Sequence, residues 1–113
     1  MIMSQYNKNL FNPIRIQRKR IKGWRMPENT VYVGRPSKWG NPFKAKTKMD
    51  NWIAVEKFRD YLLGQYKDYN KHLKRMIFLK SIVKELKGKN LACWCKEKEP
   101  CHADILLKIA NEN

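Results

Sequence analysis

At 113 residues the chain has room for one domain with a modest core and too little for two ordinary ones. Lys and Arg number 25 against 10 Asp and Glu, a formal net charge of +15 that draws polyanions whatever the fold and names phosphate as the expected partner chemistry. An apolar share of 42% with 12% aromatics excludes a disordered basic tail. With no run of about 18 apolar residues and no signal-peptide pattern at the start, the expectation is a cytoplasmic protein that does not enter a membrane.

In chain order, residues 1–13 are polar with a few aromatics and predict a flexible N-terminal arm, leaving a single α/β domain over 14–113. The stretch Ile14 to Ile21 alternates like a strand before dissolving into the Arg18-Lys19-Arg20 run. TVYVG, Thr30 to Gly34, reads as a buried strand running into the breaker-rich loop GRPSKWGNPF. A helix is predicted from an N-cap at Asp50 or Asn51, with Ala54, Val55, Phe58 and Leu62 on one face and Gly64 as its stop. A second follows from His72 to Lys87, with Met76, Leu79, Val83 and Leu86 at helical spacing and Gly88 after it. KNLACWC, Lys89 to Cys95, reads as another strand, and HADILLKIAN, His102 to Asn111, as the closing helix. These elements predict a small single-domain sheet, partly parallel, with two or three packed helices.

In a parallel sheet the ligand crevice lies at the carboxyl ends of the strands, so GRPSKWGNPF and CWCKEKEPCHAD are expected to face each other across one site. In the first loop, Arg35 and Lys38 suit phosphate, Trp39 offers a face for stacking, and Asn41 a hydrogen-bonding edge. The competing reading buries Trp39 and Phe43 in the core and leaves Arg35 and Lys38 solvated.

All three cysteines lie in the second segment, and an odd number of clustered thiols in a reducing compartment points to metal or catalysis rather than disulfides. Cys93, Cys95, Cys101 and His102 have the right ligand types for zinc, although Cys-x-Cys is tighter than the usual zinc spacing. As chemistry, Cys101 at a helix N-terminus beside Lys96 and Lys98 is expected to have a lowered thiol pKa, with His102 or Asp104 as acid or base. As packing, the cysteines are small hydrophobes and His102 and Asp104 merely favour a helix start. Between Arg15 and Lys48 the basic residues are opposed only by Glu28. Arg18, Lys19, Arg20, Lys22, Trp24 and Arg25 are the candidates there for nucleic-acid contact, set against a simple solvated face.

The succession RIQRKRIKGWRMPENTVYVGRPSKWGNPF with ACWCKEKEPCHADILLKIAN resembles the family of small bacterial and phage proteins known as the domain of unknown function DUF4326, over about Arg15 to Asn111. The resemblance implies that Gly23, Trp24, Pro27, Arg35, Pro36, Trp39, Gly40, Asn41, Pro42, Phe43, Cys93, Trp94, Cys95, Cys101, His102 and Asp104 are family-pattern positions. It carries over no activity, cofactor or substrate. The residues themselves support two expectations: an enzyme-like domain acting on a nucleotide or nucleic acid, or a non-catalytic nucleic-acid-binding module whose structural Cys/His element either holds zinc or simply packs. A phosphorylated small molecule is the alternative partner to nucleic acid.

Overall fold

Strand β3 (Asn90–Cys93) forms the centre of the molecule, with Leu91, Ala92 and Cys93 each at most 1% exposed. The computed structural model describes residues 12–112, so most of the arm expected over 1–13 lies outside the described residues. Strands β1 (Arg15–Gln17) and β2 (Thr30–Tyr32) flank β3, both parallel to it, in the order β1-β3-β2. The Ile14 to Ile21 segment thus supplies the third strand, and the sheet is parallel throughout rather than in part. Parallel neighbours need long crossovers. Between β2 and β3 the chain uses two helices, α1 (Asn51–Leu63) and α2 (Tyr69–Leu86), and it closes with α3 (His102–Asn111). Among the described residues this is a three-stranded, three-helix α/β domain, and none of the helices is long and apolar enough to cross a membrane.

Register sets which side chains share a face. Gln17 is level with Cys93, while Ile16, Ala92 and Tyr32 form the next row and point the other way. The first face carries Leu91 and Cys93 into a core completed by Val33, Trp39, Phe58, Leu62, Leu86 and Leu106. Helix α1 buries Ala54, Val55, Phe58 and Leu62, the predicted stripe, and ends at Gly64, whose N–H donates to the Asp60 carbonyl.

Helix α2 departs from its prediction in two ways. It begins three residues early, because the Asp68 carboxylate caps it by accepting from the Lys71 N–H. Its buried stripe is Arg75, Ile82 and Leu86 with Phe78 and Leu79 beside them, whereas Met76 and Val83 are 37% and 41% exposed. The rotation is set by Arg75, whose guanidinium donates to the Leu62 and Gly64 carbonyls at the end of α1 and lies 5.0 Å over the Tyr66 ring. Arg75→Leu is therefore expected to destabilise the domain by about 2–4 kcal/mol, since charge-assisted bonds to otherwise orphaned carbonyls are lost. Exposed Lys74→Ala, on the same helix, should stay within about 0.5 kcal/mol. Urea unfolding of the two variants checks the contrast.

Candidate ligand cavity and thiol centre

Strand β3 ends at Cys93, two residues before its sequence pattern does, and the early end creates the thiol centre. In a continued strand Cys93 and Cys95 would stand about 6.6 Å apart along one face. The chain instead bends at Trp94 and Cys95, and the Sγ atoms of Cys93, Cys95 and Cys101 all lie within 4.8 Å of one another. Cys101 returns as the N-cap of α3: its sulfur accepts from the Ala103 N–H, and its thiol donates to Cys93 Sγ at 3.2 Å. All three thiols are free.

One side chain holds the irregular loop between them. Arg15 Nη1 donates to the Glu99 carbonyl and to Asp104 Oδ2, each at 2.9 Å, and Nη2 donates to the carbonyls of Lys96 and Glu97. Arg15 reaches this loop because its position on β1 is level with Leu91 on the helix-bearing face.

The thiols share charge unevenly. Hydrogen bonds from Cys101 and then Cys95 hold the Cys93 thiol far below its usual range, at about 3. Donating to Cys93, with burial added, pushes Cys101 up; the Ala103 N–H acts in the lowering direction but is outweighed. For Cys95 the bond from Cys101 pulls down, yet Cys93 and burial prevail and the thiol is raised. The expectation of a lowered pKa at Cys101 is thus corrected: its thiol is raised, and Cys93 is the one of the three that is lowered. Burial lowers the pKa of His102 against the raising effect of its bond to the Val33 carbonyl. That bond, 2.7 Å from Nε2, places the proton on Nε2 because a carbonyl only accepts. Nδ1 then presents a lone pair 3.7 Å from Cys101 Sγ.

A cavity of about 370 Å³ opens over this centre. Gly34, Arg35, Asn41 and Phe43 border it from the first loop; Cys93, Trp94, Cys95, Cys101 and His102 border it from the second, with Tyr32, Asn51 and the start of α1 completing the wall. Both loops therefore open on one side of the domain. Arg35 stands at the wall with Nε and Nη2 donating to the Asn41 and Phe43 carbonyls, which fixes its direction. Asn41 is buried and braces the loop, donating to the Ala54 carbonyl and accepting from the Phe43 N–H.

Other predicted site residues lie elsewhere. Trp39 is 4% exposed and packs on Phe78, so it offers no stacking face; its apolar area is worth more in the core. Lys38 pairs with Glu85 at 2.8 Å, outside the cavity. Asp104 is held by Arg15 and borders a second cavity between α1 and α3, which only Cys101 of the three cysteines reaches. Lys19, Arg20, Lys22 and Arg25 are exposed, and Trp24 is half-buried.

The sequence reading missed the aromatic rim. The Arg18 guanidinium lies 4.6 Å from the Tyr32 ring centroid and 4.7 Å from that of Trp94, with Arg20 4.6 Å over Trp94 as well. Trp94, between two cysteines, and Tyr32, at a strand end, both touch the cavity, and alternation along each strand was the available signal.

Comparison with curated proteins and with solved structures gives no match. A family model does match, over residues 16–112, and spans both loops, the thiol centre and nearly all of the described domain. The chain belongs to the family described as Domain of unknown function (DUF4326).

Proposed function

We propose that this protein binds a nucleotide, free or within a nucleic acid, in the cavity between the GRPSKWGNPF and CWCKEKEPCHAD segments, and that its three thiols hold a zinc ion at the cavity floor. The observation that carries the reading is the convergence of the two loops on one cavity at the carboxyl ends of β2 and β3, where open parallel sheets place their ligands. The cavity volume lies at the lower end of the usual range for small-molecule sites, about 300–1,000 Å³. Arg35 serves phosphate, Trp94 and Tyr32 offer rings at the wall, and the cationic Arg18 and Arg20 stand at the rim beside them. Among the described residues neither rim arginine has a carboxylate partner, which leaves both for phosphate. His102, with its proton held on Nε2 by the Val33 carbonyl, supplies a group from which chemistry on such a ligand would be built. A reducing, cytoplasmic compartment fits three free thiols.

The second reading keeps the nucleic acid and removes the chemistry: a binding module in which zinc on the Cys/His segment only holds the fold. It is favoured by the near-complete burial of Cys93 and Cys101, each 1% exposed. His102→Ala that leaves stability and binding intact while abolishing a cellular phenotype supports the first reading; a variant that merely unfolds supports the second.

The basic rim makes its own prediction. Binding of a single-stranded oligonucleotide should weaken with salt, with a log-log slope of about 0.7 per phosphate engaged. Replacing Arg18, Lys19 and Arg20 together by Glu should flatten that slope and weaken binding to all sequences alike. Fluorescence anisotropy across a salt series reads both. Unchanged binding would reduce the run to a solvated face, and no binding at about 50 mM salt would leave a small phosphorylated ligand as the partner.

A further inference from the structure

We infer that the metal ion on the three thiols has no fourth ligand from the protein, and that its open coordination position faces the cavity, where water or a donor atom of the bound nucleotide completes it. The inference rests on the metal reading above and adds what the site does: it places a Lewis acid against the ligand instead of a staple beneath it. Three sulfurs, each about 2.3 Å from a common tetrahedral ion, stand about 3.8 Å apart. The 3.2 Å between Cys93 and Cys101 and the 4.8 Å limit on the whole cluster bracket that spacing, so modest side-chain rotations seat the ion. All three cysteines border the cavity, which gives the ion a side that the protein does not cover. Loss of three thiol protons to a divalent ion leaves one net negative charge, which the N-terminus of α3 and the Arg15 guanidinium behind the loop both favour.

His102 is the rival for the fourth position. Its Nδ1 lies 3.7 Å from Cys101 Sγ, yet among the described residues the group close enough to share an ion consists of the thiols alone. The ring is anchored from its far side by the 2.7 Å bond to the Val33 carbonyl and by the edge-on Phe58 ring at 5.6 Å. Swinging it toward the ion would break that buried bond and leave the Val33 carbonyl without it, a costly exchange. Asp104, the carboxylate on the same helix, is turned to Arg15 and borders the other cavity. Three protein ligands with an exchangeable fourth position is the arrangement of catalytic rather than structural zinc.

The test is X-ray absorption on the zinc-loaded full chain, joined to visible spectroscopy of the cobalt(II)-loaded chain with cyanide added. The expected result is three sulfur scatterers and one oxygen or nitrogen without the outer-shell pattern of an imidazole, and cobalt bands that shift on cyanide addition. Imidazole scattering with bands indifferent to cyanide would overturn the open position while leaving the zinc reading standing. Failure to bind either metal at one per chain would overturn both. Because these measurements use the unmutated chain, a folding defect in a His102 variant cannot obscure them.

Discussion

Stripping zinc from the folded protein with a chelator is expected to lower its stability by about 4 kcal/mol where the metal had been present at about 1,000 times its dissociation constant. Against a total folding free energy of about 5–15 kcal/mol for a domain, that is a large share, and the melting temperature should fall accordingly. The effect follows from position: the thiols sit at the end of the central strand and the start of α3, so a metal held by them would join two parts of one core. Cys101→Ala is expected to abolish one-to-one zinc uptake, a greater loss than the about 10–100-fold that removal of an outer-shell partner costs. Metal analysis and calorimetry with and without chelator check both. Protein that is metal-free and equally stable would end the zinc reading.

Arg15→Met is the second large effect. The side chain is 11% exposed and makes four hydrogen bonds, three of them to carbonyls of a loop with no regular structure of its own. Methionine retains much of the packing but none of the donors, so a loss of about 1–3 kcal/mol is expected, the cost of leaving the loop carbonyls without their charged donor. Asp104→Asn should cost only about 0–1 kcal/mol, because its carboxylate side chain is 56% exposed and the pair is solvent-screened. Paired denaturation curves measure the difference. In Arg15→Met the loop carbonyls lose their anchor, and zinc affinity is expected to fall with stability. Equal, small effects from both variants would mean that the loop holds its shape without the arginine.

Much of the fold was legible because the chain punctuates itself. Glycines after α1 and α2, apolar residues at helical spacing in α1, and a short β-branched run before a Pro- and Gly-rich loop each carry a local physical cause. Two features were not local. The stripe of α2 contains Arg75 at a core position, which a hydrophobic pattern rejects; only the end of α1, brought close by folding, makes a buried guanidinium favourable there. The end of β3 at Cys93 depends on the thiols meeting across eight residues of sequence, so alternation carried the strand two residues too far.

The site shows the same division. The two loops could be placed together because parallel strands end on one side, and that juxtaposition needs topology alone. Individual roles needed coordinates. Trp39 and Trp94 are both tryptophans in breaker-rich segments, yet one closes the core and the other stands at the cavity wall. Likewise Lys38 and Arg35, three residues apart, go to Glu85 and to the cavity. Arg15, read as one more charge in a basic sector, organises the thiol loop because its register on β1 aims it there.

The central claim, that the cavity between the loops holds the ligand, is tested most directly by filling it. Ala45 borders the cavity at an exposed position, so Ala45→Trp should occlude the opening without disturbing core or thiols. Binding of a fluorescent adenine mononucleotide and of a labelled single-stranded oligonucleotide would be measured for the wild type and this variant. The account predicts that the wild type binds at least one of the two probes and that Ala45→Trp loses at least about tenfold in that affinity, 1.4 kcal/mol, with stability and zinc content unchanged. Equal affinities in the two proteins, or a wild type that binds neither probe, would contradict it.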